Sequence, residues 1–365
     1  MEQPPIPIKG RGAANAGLSA RFDDKAREND GDWLDDRAEI DGDAPPLRTQ
    51  VMIETPRTII TRNRSPDIPF DRSINAYRGC EHGCIYCFAR PTHAFHDLSP
   101  GLDFETRLFA KPDAARLLRE ALAKPDYTVA PIALGTNTDP YQPIERKYRI
   151  TRQILELLAE CEHPVTMVTK SALIERDLDL LGPMAQKNLV KVFVSIGTLD
   201  RTLARKLEPR AASPQRRLDV LKALSEHHVP CGVMVAALIP ALNDKTMEHV
   251  LEAAAAAGAR EAAYVIMRLP NELKVLFKEW LVEHYPQRAE HVMSIVRQMR
   301  GGRENDPNFG SRMSGTGNYA ELIEKRFDIA CRRFGLNGHG AGRNRPELDC
   351  SRFRPPGRGG QLQLF

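Results

Sequence analysis

The sequence predicts an α/β fold with a parallel sheet under helices. Three observations carry that expectation. From residue 73 to 270, short β-branched runs alternate with helical patterns. The runs are continuously apolar, as strands covered on both faces are. A loop with three cysteines directly follows the first run. Barrel active sites sit at the C-terminal ends of strands, so this placement favours a barrel over a doubly wound open sheet.

The elements follow in order. Ser73–Tyr77 leads into the cysteine loop, residues 113–123 have helical spacing, and residues 132–135 are short and apolar. Residues 148–161 place Ile150, Ile154, Leu157 and Leu158 on one helical face. Residues 165–169 read as a buried strand, 177–187 as a helix and 192–197 as another buried strand. Ser213 should cap a helix whose first residue is Pro214, with Leu218, Leu221 and Leu224 inward. A strand is expected over 232–237, a helix over 245–257 and a strand over 263–267. Beyond Pro270 the pattern is helical over 272–284, 287–299 and 319–334. The Gly/Asn/Arg-rich stretch 300–317 lies between the last two, and loops of that length are usually functional or disordered.

Length and charge set further bounds. A chain of 365 residues holds one barrel-sized domain with appendages, or two domains. No run of 18 apolar residues occurs, so no membrane span is expected. The net charge of +4 is too weak to require a nucleic-acid partner. Its distribution is uneven: residues 1–50 hold seven basic and eleven acidic residues, and residues 331–365 hold seven arginines against two acids. Four segments are expected. They are a disordered acidic head over 1–50, a core over 51–270, a helical region over 271–335, and a basic Arg/Gly/Pro tail over 336–365. The tail reads either as an anion-binding arm or as irregular coil that is solvated or packed.

Cys80, Cys84 and Cys87 form a C-x3-C-x2-C run within eight residues. Three thiolates on one tight loop can hold a metal centre and leave one position open. A structural zinc site is the rival, with His82, His93 or His96 as a fourth ligand, although such sites prefer paired motifs. A disulfide framework fits poorly, because the cysteine count is odd and no secretory signal is recognisable. A reducing cytoplasm is the expected compartment.

The stretch from Ser73 to Cys87, continued by Ala89-Arg-Pro-Thr-His93 and by Gly135–Glu145, resembles the radical S-adenosylmethionine (SAM) superfamily. Within it the match is to the spore photoproduct lyase-like branch, and there to the bacterial subgroup known as the PA0069 family. The resemblance spans roughly residues 50 to 355. It implies a partial (β/α)6 TIM-type barrel with a C-terminal helical extension. It also implies a [4Fe–4S] cluster on Cys80, Cys84 and Cys87, whose free iron chelates SAM, and reductive cleavage of SAM to a 5′-deoxyadenosyl radical. A donor such as flavodoxin or ferredoxin would supply the electron.

The resemblance also implies SAM contacts at strand ends. Tyr86 matches the family aromatic beside the adenine, and Thr138 with Asp139 matches a Ser-Asp pair. An Asx turn before Pro140 is a second role for Asp139. Lys170 matches a lysine that pairs with the SAM carboxylate, and Ser195 matches the ribose-binding serine. Arg210 is a weaker candidate, with a surface pairing to Glu208 as the alternative.

The analogy breaks at two places. The lyase uses a cysteine hydrogen donor ahead of its Ser-Asp pair, and residues 133–138 contain none. It uses a tyrosine after the third cluster cysteine, where this chain has Phe88. Cys231 sits near the start of its strand, at the wrong end to replace the donor. These departures argue against spore photoproduct repair and for another substrate. Nucleic acid is a substrate class implied by the branch, by Arg312 and by the basic tail. A peptide-modifying enzyme with a second cluster is disfavoured, since only Cys331 and Cys350 lie near the C-terminus. The non-enzyme alternative is a zinc- or cluster-stabilised nucleic-acid-binding module.

Overall fold

The computed structural model describes residues 11–13, 48–338 and 347–357. Ten strands occur among them. They are β1 (Gln50–Ile53), β2 (Ile60–Arg62), β3 (Arg72–Ile74), β4 (Tyr77–Arg78), β5 (Arg107–Ala110), β6 (Ile132–Leu134), β7 (Val165–Thr169), β8 (Val190–Ser195), β9 (Cys231–Leu238) and β10 (Glu261–Ile266). The main sheet runs β10-β9-β8-β7-β6-β3-β2. From β3 to β10 every neighbouring pair is parallel, and β2 joins β3 antiparallel. Six parallel strands form a partial (β/α)6 barrel, and β2 and β10 remain unpaired with each other.

Helices Ile150–Glu160, Leu178–Gln186, Pro214–Glu226 and Met247–Ala256 cover the sheet between strands. Ile150, Ile154, Leu157 and Leu158 are buried, as the 3.6-residue period requires. The Ser213 hydroxyl accepts the Arg216 N–H at the head of the next helix, where Pro214 takes the first position. Val220, Leu221 and Leu224 are buried there, but Leu218 is half-buried and Arg217 is buried instead.

Strand burial alternates. In β7, Val165, Met167 and Thr169 are fully buried, whereas Thr166 and Val168 are half-exposed. The buried set lies under the helices, and the half-exposed set faces the concave side. Lys170 continues the concave series. In β8, Lys191 and Phe193 form that series and Ser195 ends it. The pairing of Thr169 with Val194 brings Lys170 and Ser195 level at adjacent strand ends.

A small second sheet, ordered β1-β5-β4, was not expected. Its β4 starts three residues after β3 ends, so the cysteine loop leaves from the junction of two sheets. Helices Leu273–His284, Ala289–Gln298 and Asn318–Arg333 follow the last strand. The Asn337 amide bonds both main-chain groups of Ala262 and covers the β10 edge.

One expectation on the ends of the chain needs correction. Arg11–Ala13 packs against the cysteine loop instead of joining a disordered head, while the other residues of 1–47 lie outside the described residues. In the basic tail, 339–346 and 358–365 lie outside the described residues. Residues 347–357 pack beside the loops that precede β7 and β8, through Asp349 N–H to Asn188 and Arg354 N–H to Cys161. That is the end of the barrel opposite the cysteine loop. No helix of the described residues is long and apolar enough to cross a membrane.

Candidate active site

The cysteine loop hangs from the C-terminal end of β3 and β4. Cys80 and Cys84 are buried and Cys87 is half-exposed. The Cys80 N–H donates to the Phe104 carbonyl at 2.9 Å, and Ile85 N–H to Leu207 at 3.0 Å. Burial, then the Asp139 charge, push the Cys80 thiol well up. Burial raises Cys84 to about 12. Metal binding requires the thiolate, so a bound cation would take the place of these protons.

Arg90 holds the loop from beneath and is fully buried. Its guanidinium donates to the carbonyls of Gly83, Cys84, Pro100 and Gly101 and to the Glu105 carboxylate at 2.5 Å. Thr138 approaches from β6, with its hydroxyl donating to the Gly79 carbonyl at 2.7 Å. Gln142 donates to the same carbonyl and accepts the Glu81 N–H at 2.9 Å.

Asp139 spans two strand ends. One oxygen accepts from the Thr169 hydroxyl at 2.7 Å and from Tyr141 N–H at 2.9 Å, which is the Asx turn. The other accepts the Lys170 N–H at 2.7 Å and faces His82 Nδ1 at 3.4 Å. Burial raises this carboxyl, but His82 and the donors outweigh it and hold it at about 2. Three donors thus occupy the carboxylate, and His82 Nδ1 stands beside it without forming a hydrogen bond.

Lys170 lies over the Tyr86 ring, with Nζ 5.8 Å from the centroid. Burial lowers this ammonium, yet the Cys84 sulfur and the Glu208 carboxylate reverse the effect and raise it. The Tyr86 hydroxyl and the Arg217 guanidinium both donate to Glu208. Arg217 also donates to the Ser195 carbonyl at 2.8 Å. Burial raises the Glu208 carboxyl, but Arg217 and Lys170 hold it below the usual range. The Ser195 hydroxyl donates to the Ala236 carbonyl at 3.2 Å, which leaves its lone pairs for a ligand. Glu208 and Arg217 also line a cavity of about 470 Å³ with Arg201, Arg205, Pro209 and Ser213, which the other candidate residues do not line.

Arg210 does not pair with Glu208. It donates to Glu81 at 3.2 Å, so it braces the cysteine loop. Arg312 is also committed, because Asp67 accepts both of its N–H groups at 2.6 Å. Glu208, Arg217, Arg90 and Glu105 are site residues that sequence reasoning missed. His93 Nε2 bonds the Arg107 carbonyl at 2.9 Å, while its buried Nδ1 has no hydrogen-bond partner among the described residues. Cys231 opens β9, far from the strand ends, and donates to Leu221 and Gly258 carbonyls. Among the described residues, no three His, Cys, Asp or Glu side chains converge in a geometry that holds a single metal ion.

The radical SAM superfamily model matches residues 74–254, from β3 through the helix after β9. An uncharacterised protein of Mycobacterium tuberculosis is 37% identical over 233 residues, covering 63% of this chain and 68% of its own. A protein of Methanocaldococcus jannaschii is 26% identical over 220 residues, 60% of this chain and 78% of its own. A spore photoproduct lyase complexed with dinucleoside spore photoproduct superimposes with a TM-score of 0.55, at 14% identity, over 78% of this chain and 80% of its own. The chain belongs to the radical SAM superfamily. Radical SAM proteins use a [4Fe–4S] cluster and SAM, and their chemistry requires an electron donor. The lyase likeness is one of fold. Against it stand Phe88 after Cys87 and the absence of cysteine from residues 133–138.

The residues fit the cluster that radical SAM proteins use. The loop offers three thiols, with Cys84 in electrostatic reach of both Cys80 and Cys87. Cys80 packs with Ala89 and Phe104, Cys84 packs into the main core, and Cys87 touches both groups. A zinc ion would draw its sulfurs to about 2.3 Å from one point. A [4Fe–4S] cluster takes one thiolate on each of several irons, which three cysteines on one loop can supply.

Proposed function

We propose that this radical SAM enzyme binds its [4Fe–4S] cluster through Cys80, Cys84 and Cys87 and cleaves SAM reductively against the concave strand ends. The observation that carries this reading is the loop of three thiols held by Arg90 and Thr138, with Tyr86, Lys170 and Ser195 grouped above adjacent strands. When bound, the reduced cluster supplies the electron that converts SAM to methionine and a 5′-deoxyadenosyl radical. Lys170 offers an ammonium kept charged by Cys84 and Glu208 to the SAM carboxylate. The Ser195 hydroxyl accepts from the ribose, and Tyr86, fixed by Glu208, flanks the adenine. Thr138 and Asp139 act one step back: Thr138 sets the start of the cysteine loop, and Asp139 sets Lys170. Arg210 braces Glu81. A small redox protein such as flavodoxin or ferredoxin delivers the electron.

The test is anaerobic reconstitution, iron and sulfide analysis, then dithionite and SAM with assay of 5′-deoxyadenosine. About four irons per chain are expected. Cys84→Ala should lose iron and product together, whereas Lys170→Ala and Ser195→Ala should keep iron and lose SAM affinity. Stoichiometric zinc without SAM cleavage would make the loop structural and favour the binding-module alternative.

Nucleic acid is the substrate class with a specific observation behind it. The Phe88 ring is 45% exposed beside the cluster loop, and the Arg268 guanidinium lies 5.5 Å from its centroid. The Arg268 guanidinium also donates to the Met313 sulfur at 3.8 Å, and its Nε is buried. An exposed ring beside a guanidinium accepts a stacked base and its phosphate. Binding of a fluorescent single-stranded oligonucleotide should weaken with salt, and weaken in Phe88→Ala and Arg268→Ala while 5′-deoxyadenosine formation persists. Unchanged binding in both variants would remove this class.

A further inference from the structure

The mechanism above makes no use of Arg11–Ala13, yet these residues meet the underside of the cysteine loop. Glu105 is fully buried, and its carboxylate is the shared anchor. One oxygen accepts Ala13 N–H at 2.9 Å and Arg90 at 2.5 Å; the other accepts Gly12 N–H at 2.9 Å. Arg11 donates to the Glu105 carbonyl at 2.9 Å and to the Thr49 hydroxyl at 3.3 Å. Thr49 in turn donates to Glu81, which lies between Cys80 and His82.

Contact at Gly12 is backbone on backbone. A Cβ there would lie 1.8 Å from the Gly83 carbonyl oxygen, the same oxygen that Arg90 holds at 3.1 Å. Gly83 itself has φ +66°, and a Cβ on it would lie 2.7 Å from Glu105. Two glycines and a buried carboxylate therefore interlock with no room for a side chain. A buried carboxylate facing Arg90 alone would keep acceptor sites unfilled, and the two amides of the segment fill them.

We propose that Arg11–Ala13 is a strap that completes the Glu105–Arg90 anchor and holds the cysteine loop in its cluster-binding shape. Gly12 and Ala13 are positioning residues: they act on the cysteines through Glu105 and Arg90. The effect on the cluster rests on the proposed function, whereas the effect on the loop does not. Hydrogen bonds to a buried charge contribute about 1.5–3 kcal/mol, equivalent to roughly tenfold or more in opening of the loop.

The experiment compares the wild type with Gly12→Val, which wedges the contact apart, and with a deletion of residues 1–13, which removes the strap without a wedge. Amide exchange of residues 79–90 in metal-free protein should rise about tenfold or more in both variants, while β8 stays protected. After reconstitution, the variants should lose iron in air about tenfold faster and show an altered electron paramagnetic resonance line shape of the reduced cluster. Unchanged exchange in both variants overturns the strap, whatever the iron content. Faster exchange in a protein whose wild type takes up no iron supports the strap as a loop anchor and sinks the cluster reading alone.

Discussion

The Asp139 carboxylate accepts the main-chain N–H of Lys170 at 2.7 Å, so a residue after β6 fixes the end of β7. This bond sets the direction in which the Lys170 ammonium leaves its strand. Under the proposed function, Asp139 acts on SAM through this bond to Lys170.

Asp139→Ala should therefore reduce SAM affinity by misplacing Lys170, with iron content unchanged. Calorimetric titration of SAM into reconstituted protein checks this. The same carboxylate supports the fold. Its folded value of about 2 lies below the unfolded value of about 3.9, so its contribution is present above pH 3.9 and lost as pH falls toward 2. That contribution is about 2 kcal/mol, and acid titration of urea unfolding should show it in the wild type and not in the variant.

Glu208 is buried between Arg217 and Tyr86. Glu208→Gln leaves a buried guanidinium without its counter-charge and should cost about 3 kcal/mol in urea unfolding. The double variant Glu208→Leu with Arg217→Met should recover most of that loss, because it removes both charges.

His163 is fully buried, with Nδ1 at 2.9 Å from the Pro164 carbonyl and Nε2 at 2.7 Å from the Tyr127 hydroxyl. Burial lowers it to about 4. The folded state keeps it neutral while the unfolded chain protonates near pH 6.5, so stability should fall as pH drops from 6.5 to 4. The loss is up to about 3 kcal/mol. Urea midpoints at pH 7 and pH 4.5 test this, and His163→Gln should flatten the difference.

Asp67 and Arg312 pair through two bonds of 2.6 Å and tie residues 300–317 to the segment before β3. Arg312→Lys cannot reproduce the two-pronged pairing and should speed amide exchange of residues 305–315 several-fold. The rest of the barrel should be unaffected.

The parallel strands were legible as short apolar runs alternating with helices that repeat a 3.6-residue period. The end of the helix at Pro214 was legible from its cap. Strands β1, β4 and β5 were not, since pairings of two to four residues leave no period and depend on partners distant in sequence. The cysteine loop was read from spacing, and Lys170 and Ser195 from the family resemblance, which puts both at strand ends. Arg90, Glu105, Glu208 and Arg217 were passed over because charged side chains normally face water. Only the folded chain shows that each is neutralised in the interior. Arg210 meets Glu81 and Arg312 meets Asp67, pairings that a sequence does not show.

The anchors of the cysteine loop come from far along the chain: Phe104 holds Cys80, Leu207 holds Ile85, and Arg210 N–H meets the His82 carbonyl at 3.3 Å. Such distant contacts are slow to form and cannot precede the segments that supply them. A chain still emerging from the ribosome would carry three cysteines with no fixed spacing between their sulfurs. The cysteine loop therefore takes its final shape only after the chain has been made and folded past Arg210.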